Sequence, residues 1–473
     1  MNPGKSDKHL KIGMIGCGVV GSQVARLMLE SSEDLNARSG ATLELVKIAV
    51  RDVKTERPGI NPAILTTDAD SVVNDPDIDI VIEVMGGIEP ARTLVLQAMQ
   101  NGKSVVTANK AMLGRHGAEM FKAAMKNKVD LYYEASVGGA IPILRPMGES
   151  LAGDYVRRVM GIVNGTTNFI LTKMDESGAS FADALKEAQA LGYAEADPTA
   201  DVEGFDAAAK IAILATLAYH TEVIDTEVSR EGITGITAED VAVAKSLGLV
   251  VKLIAIAELN NKEEISVRVH PTMLARTHPL ASVRDSYNAV FVQAESAGDL
   301  MFYGRGAGGA PTASAILGDL VEVARHKVDG GLGAPETDYA DLDMAPIGSM
   351  PTRYLIRLEV LDIPGVLASV ANTFANHNIS IQTVRQTGRD ERAELIVMTH
   401  MALDKDLANT VAALADLDTV KEVASVIRVE GTLSGVFFET GKRWRYSSIT
   451  PRHGWAWCLD FPNKLTRGFL PHE

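Results

Sequence analysis

Gly16-Cys17-Gly18-Val19-Val20-Gly21 follows the short apolar run Lys11 to Ile15 and opens a stretch in which Val20, Val24, Leu27 and Met28 recur at helical spacing. Strand, glycine-rich turn and helix in that order begin a dinucleotide-binding fold. The glycines permit a tight turn and close approach of backbone to a pyrophosphate, and the helix N-terminus supplies unpaired N–H donors. Gly16, Gly18, Val19, Val20 and Gly21 are therefore the expected cofactor contacts. The same spacing recurs at Gly304-Arg305-Gly306-Ala307-Gly308-Gly309. One helix and then a Gly-, Pro- and Asp-rich stretch follow that copy, so on local grounds it reads as a turn between domains.

Outward from the first turn, apolar runs Leu43 to Val50, Asp79 to Met85, Ser104 to Val106 and Val129 to Tyr133 alternate with helical periods. This rhythm predicts a Rossmann-type, doubly wound parallel sheet over residues 1–135. Residues 136–329 mix longer helices with strands such as Ile265 to Val269 and Ala289 to Ala294, an α+β pattern, and 330–352 lacks periodicity and reads as a linker. Residues 353–430 then run strand, helix, strand, strand, helix, strand, the ferredoxin-like βαββαβ order, with helices at Val366 to Asn376 and Lys405 to Ala415. The remaining segment, 431–473, holds all three tryptophans and has no evident role.

Bulk composition narrows the function. A chain of 473 residues implies two to three domains, and a net charge of -15 spread along it argues against nucleic acid or an acidic membrane surface as partner. Cys17 and Cys458 are too few for a disulfide framework, and no cysteine–histidine cluster has zinc spacing. With no apolar window of about 20 residues, a cytoplasmic enzyme is expected.

The second strand ends Ala49-Val50-Arg51-Asp52, where an acid would bond a ribose 2′-OH and a base a 2′-phosphate. Arg51 tilts the choice to NADP(H), while Asp52 keeps NAD(H) open. Val105-Val106-Thr107-Ala108-Asn109-Lys110 closes a parallel strand at the edge where such sheets bind ligands, which directs Thr107 and Lys110 at cofactor or substrate.

The chemistry is concentrated later, from Glu195 through Pro198, Asp201 and Gly204 to Asp206 and Lys210. Asp206 and Lys210 share a helical face, and an arbitrary pair at that spacing is usually a surface ion pair. Here Lys210 is the only charge between Ala207 and Tyr219, which marks a buried helix and a lysine that needs partners. Such a lysine can stabilise an alkoxide as a hydride arrives at an aldehyde, and the acids Glu195 and Asp201 suit a substrate ammonium. Asn164-Gly165-Thr166-Thr167-Asn168 offers donors for a carboxylate, or equally a helix cap.

Together these segments resemble homoserine dehydrogenases of the single-function kind with a C-terminal ACT domain, over roughly residues 10–430. The most specific part is Asp197-Pro198 through Lys210, supported by 105–110, 134–142 and 161–168. The resemblance implies NAD(P)H-dependent interconversion of L-aspartate 4-semialdehyde and L-homoserine, on the route to threonine and methionine. It implies Lys210 and Asp206 as catalytic residues, with Lys110 a second lysine, and Glu195, Asp201, Gly165 and Thr166 as substrate contacts. It adds a monovalent cation, usually sodium, at Glu134, Val137, Gly139 and Ile141, held largely by backbone carbonyls. Gly308 becomes a cofactor contact, and helix 311–328 returns to the nucleotide domain. Region 136–329 would bind substrate and dimerise, giving a homodimer or homotetramer. The unit 353–430 would bind L-threonine as inhibitor near Asp362, Gly365, Val366 and Asn378. The thiol of Cys17 departs from the apolar residue common at its place and is expected against the pyrophosphate. Other readings are a dehydrogenase of another small amino or hydroxy acid, which the 195–210 loop opposes, and an inactive amino-acid sensor, which intact Asp206, Lys210 and Lys110 oppose.

Overall fold

β1 (His9–Ile15) is central to a parallel sheet with β2 (Thr42–Ala49), β3 (Leu65–Thr66), β4 (Ile80–Glu83), β5 (Ser104–Thr107) and β6 (Leu131–Tyr132), in the order β3-β2-β1-β4-β5-β6. The computed structural model describes residues 8–334, 340–389 and 392–431, so Cys458 and the tryptophan-bearing segment lie outside the described residues. Ile12, Met14, Ile80, Ile82 and Val106 are wholly buried, because helices cover both faces of a parallel sheet and its strands must read as continuous apolar runs. The strand order reverses between β1 and β4, which opens a crevice at their carboxyl ends. Helices Val19–Glu30 and Gly309–Asp329 share one core, where Val24 and Met28 meet Ala313, Ile316 and Leu320.

A second sheet contains β7 (Val156–Ile162), β8 (Ser229–Arg230), β9 (Leu249–Leu259), β10 (Ile265–Ala275), β11 (Tyr287–Ala294) and β12 (Gly298–Arg305). β13 (Pro351–Thr352) pairs separately with β17 (Ala402–Leu403). The βαββαβ unit consists of β14 (Tyr354–Leu361), helix Val366–Asn376, β15 (Ile381–Arg389), β16 (Arg392–Thr399), helix Asp404–Ala415 and β18 (Val420–Glu430), with strand order β18-β14-β16-β15. Its helices bury Val370, Phe374, Leu407 and Leu414 completely, each contributing about 1.5–3 kcal/mol.

The βαββαβ unit continues the second sheet: β18 runs parallel to β10, with Thr272 opposite Arg428 and Leu274 opposite Glu430. Each strand would otherwise present an unpaired edge. The segment 340–350, expected as linker, is tied down. The Ile265 N–H donates to the Asp343 carbonyl at 2.8 Å, the Ala345 N–H to that of Ile265 at 2.7 Å, and the Thr221 hydroxyl to that of Ala340 at 2.8 Å. No helix among the described residues is long and apolar enough to cross a membrane.

Candidate active site

Gly204, at φ +80°, turns the chain into helix Phe205–Tyr219, and a Cβ there would press to 3.3 Å from Val269. Every residue from Asp206 to Ala215 is buried, so this helix is held by packing on all sides. Lys210 donates to Asp206 Oδ2 at 2.8 Å and to the Val163 carbonyl, just past β7, at 2.6 Å. The other oxygen of Asp206 meets the ammonium of Lys110, the first residue of helix Lys110–Asn127 after β5. Two lysines 100 residues apart thus converge on one carboxylate.

Burial pushes the Asp206 carboxyl up, but the ammonium groups of Lys210 and Lys110 outweigh it and hold the group well below the usual carboxylate range. The two lysines move in opposite directions. Burial lowers Lys210, and the charge of Lys110 adds to that, despite Asp206. Lys110 is also opposed by burial, yet Asp206, Asp201 and Glu195 raise it, and 44% of its side chain remains exposed against 9% for Lys210. Lys210 therefore releases its proton more readily, and Lys110 stays charged.

The acids expected around Lys210 are distributed differently. Asp201 lies in the single turn Thr199–Val202, not on a loop, and reaches the cluster through Asn164, whose amide donates to Asp201 at 2.6 Å and Asp206 at 2.9 Å. Glu195 is exposed; only its backbone carbonyl is bonded, by Gln189 at 3.1 Å. The cap reading of 164–168 holds, since the Asn164 side chain accepts from the Thr167 N–H at 2.9 Å and starts helix Gly165–Ser177. Thr166 turns its hydroxyl to the Tyr193 carbonyl at 2.6 Å, anchoring the acidic loop, and a Cβ on Gly165 would lie 2.7 Å from the Ser286 carbonyl. What these two residues can offer a carboxylate is their N–H groups, the free donors of a helix start.

On the nucleotide side, Gly16 has φ +100° and no room for a Cβ, which would come within 2.7 Å of Val84 and Met85. A Cβ on Gly21 would meet the Gly16 carbonyl at 2.5 Å, whereas one on Gly18 would meet nothing within 4 Å. Turn, packing and open ligand approach thus fall to three different glycines. Val19 is 77% exposed beside this opening and Val20 is half-buried. The Cys17 side chain is a correction: it packs inward, 8% exposed, with its Sγ 3.6 Å from the Ser22 hydroxyl, and does not face the pyrophosphate position. Gly308, at φ +121°, caps helix Gly309–Asp329, and a Cβ on Gly309 would stand 3.1 Å from Val19. Both glycine turns therefore border one opening.

Arg51 is exposed and bonds to no described residue. Asp52 instead spends its carboxylate on its own loop, accepting from the Lys54 N–H at 2.8 Å and the Thr55 hydroxyl at 3.2 Å. Thr107 is also turned inward, donating to Glu83 at 2.6 Å. Glu83, wholly buried at the end of β4, accepts from the Met85 and Gly86 N–H groups as well. Sequence reasoning missed Glu83, although a single acid inside the apolar run 80–85 was a usable signal. It also missed the bridging amide of Asn164.

In the loop 134–141 the Glu134 carboxylate is saturated, accepting from the N–H groups of Ile143, Leu144 and Arg145 at 2.6, 2.8 and 2.9 Å. No group of three or more His, Cys, Asp or Glu side chains among the described residues could hold a metal. The carbonyls of Val137, Gly139 and Ile141 accept no hydrogen bond from a described residue. In the βαββαβ unit, Gly365 has φ +96° and open space at its Cβ position, Val366 is buried, and Asp362 accepts from Gln386 at 3.3 Å. Asn378 is separated from them: it is the left-handed residue beyond the far end of helix Val366–Asn376, roughly 16 Å along the axis, so one chain does not bring it to the Gly365 turn.

A family model described as homoserine dehydrogenase matches residues 142–321, one described as homoserine dehydrogenase, NAD binding domain, matches 16–134, and one described as ACT domain matches 354–419. A homoserine dehydrogenase of Corynebacterium glutamicum is 54% identical over 434 residues, spanning 91% of this chain and 98% of the relative. Among solved structures, a homoserine dehydrogenase from Thiobacillus denitrificans has a TM-score of 0.86 at 39% identity, covering 90% of this chain and 99% of its own. A hyperthermophilic archaeal homoserine dehydrogenase in complex with NADPH has a TM-score of 0.58 at 26% identity, covering 67% of this chain and 97% of its own.

Proposed function

The chain belongs to the homoserine dehydrogenase family, and from this premise we propose that the two lysines flanking Asp206 divide the work of one reaction. That reaction is the NAD(P)H-dependent reduction of L-aspartate 4-semialdehyde to L-homoserine. The open face at Gly18 and the exposed N-terminus of helix Val19–Glu30 fit a dinucleotide, which when bound supplies the hydride. As negative charge develops on the aldehyde oxygen, Lys210 donates its proton, the transfer favoured by burial and by the neighbouring charge of Lys110. Lys110 keeps its charge and stabilises the oxygen electrostatically. Asp206, pinned by Asn164, orients both. Glu195 and Asp201 receive the substrate ammonium, and the N–H groups of Gly165 and Thr166 its carboxylate. The observation that carries this reading is the convergence of Lys110 and Lys210 on Asp206.

NADP(H) is the preferred nucleotide in this account, because Arg51 is unengaged while Asp52 is occupied; the archaeal relative with NADPH supports it. A sodium ion fits the unbonded carbonyls of Val137, Gly139 and Ile141, hard oxygen donors; Glu134 would take part through its backbone, since its carboxylate is saturated. We assign nucleotide binding to 1–135 with helix 311–328, substrate binding and dimerisation to 136–329, and threonine regulation to 353–430. The assembly is a cytoplasmic homodimer or homotetramer. Following nicotinamide absorbance with L-homoserine and each nucleotide, with and without L-threonine, tests the reading. Absence of turnover with both nucleotides would refute it.

A further inference from the structure

Glu430, the last residue of β18, carries the regulatory unit into the ionic core of the catalytic sheet. Its carboxylate accepts from Arg158 of β7 at 2.8 Å and from Arg268 of β10 at 3.3 Å. Glu258 of β9 closes the cluster, 2.8 Å from Arg158 and 2.6 Å from Arg268. Two positive and two negative side chains, none more than 20% exposed, thus join four strands. Burial would raise the Glu430 carboxyl, but the two guanidinium groups win and bring it down to about 2, so Glu430 enters the cluster as a carboxylate.

The backbone beside this cluster holds the catalytic helix. The Tyr219 hydroxyl, at the end of helix Phe205–Tyr219, donates to the carbonyls of Ala257 at 2.8 Å and Arg157 at 3.4 Å. Those residues immediately precede Glu258 and Arg158. Past the opposite end of β7, the Val163 carbonyl receives Lys210. The catalytic helix is therefore referenced to β7 at both ends.

β18 begins beside the regulatory turn. The Leu361 N–H donates to the Thr419 carbonyl at 3.0 Å, and Val360 lies opposite Val420, next in sequence to Asp362–Gly365. Its 11 residues then span roughly 35 Å of paired strand, ending in the cluster. We propose that Glu430 is a positioning residue through which β18 transmits occupancy of the Gly365 turn to Arg158 and Arg268, and so to the placement of Lys210. The inference rests on the reading that threonine binds this unit.

The test uses the full chain and the Glu430→Gln variant, with threonine binding measured by calorimetry and inhibition measured by initial rates. E430Q is expected to bind threonine as the wild type does, while the factor by which threonine changes kcat/KM shrinks at least about fivefold, the lower end of ordinary coupling. A merely structural role would lower Tm and leave that factor unchanged, which overturns the inference. Glu430→Asp keeps the charge and shortens the reach; if E430Q does not fold, wild-type inhibition in E430D overturns it equally. Wild-type protein that neither binds nor responds to threonine would sink the effector reading itself, and is recognised without any variant.

Discussion

Lys210 donates to Asp206 Oδ2 at 2.8 Å from the next turn of the same buried helix, and that carboxylate favours the charged form of both lysines touching it, prevailing over burial at Lys110 but not at Lys210. Because Asp206 is held ionised, Lys110 keeps its proton, while Lys210, more deeply buried, holds its own less firmly than an ordinary lysine. With Lys210 as the proposed proton donor, its protonated form is the one expected to be active in reduction. Activity is therefore expected to fall as pH rises through its lowered pKa, earlier than an ordinary lysine would allow.

Asn164→Asp preserves the helix cap but replaces the amide that bridges Asp201 and Asp206 with a third carboxylate. The added negative charge favours the ammonium form of Lys210. The alkaline limb of the pH profile for reduction should move upward by roughly one unit, with kcat lowered. An unshifted limb would separate Asn164 from the proton-transfer group.

Gly18→Ala separates ligand approach from folding. Gly18 has φ -84° and no neighbour within 4 Å of a Cβ, so alanine is tolerated by the chain alone but meets the incoming nucleotide. Tm should be nearly unchanged while the Kd for nucleotide rises about tenfold or more, the scale of a steric penalty of 1–3 kcal/mol. Unchanged affinity would place the pyrophosphate elsewhere.

Arg51→Ala should raise KM for NADPH about tenfold, as loss of one charge-assisted phosphate contact does, with NADH little affected. Equal effects on both nucleotides would show that Arg51 does not read the 2′-phosphate.

Lys252, 1% exposed, donates to Asn168 at 2.8 Å and the Val283 carbonyl at 2.6 Å, and burial brings it down to about 8. Its folded pKa lies below the unfolded value of 10.5, so the unfolded chain binds more protons across pH 8–10.5 and this group's contribution to stability rises with pH there. Below that window the cost of its buried charge, about 3 kcal/mol, is fully present. Relative to Lys252→Met, the Tm of the wild type should therefore gain between pH 8 and 10.5. A constant difference would contradict the assignment.

The parallel sheet was legible because strands buried on both faces read as unbroken apolar runs, and the βαββαβ unit because its helices have one apolar face. β7, β9 and β12 were not. Nine consecutive positions of β9 are buried, and periodicity alone cannot tell such a run from a buried helix. The β18–β10 pairing joins Leu274 to Glu430, a contact no local pattern encodes. Within the site, Lys210 stood out as a lone charge on an apolar helix. The strand-end argument and the family resemblance brought Lys110 to the site, but that it shares the Asp206 carboxylate was not legible, because the two residues stand 96 positions apart. For Asn164 a helix cap and a carboxylate donor stood equally open; it is the cap, and its bridging amide depends on where Asp201 lands. Cys17 and Thr107 were placed toward the ligand because sequence position does not reveal which way a side chain turns at the end of a strand.

The central claim is that Lys210 transfers the proton. Steady-state oxidation of L-homoserine by Lys210→Ala, alongside its nucleotide Kd, tests it most directly. A kcat lowered at least about 100-fold is expected, the scale of a lost proton donor, with nucleotide affinity unchanged. A kcat close to that of the wild type would contradict it.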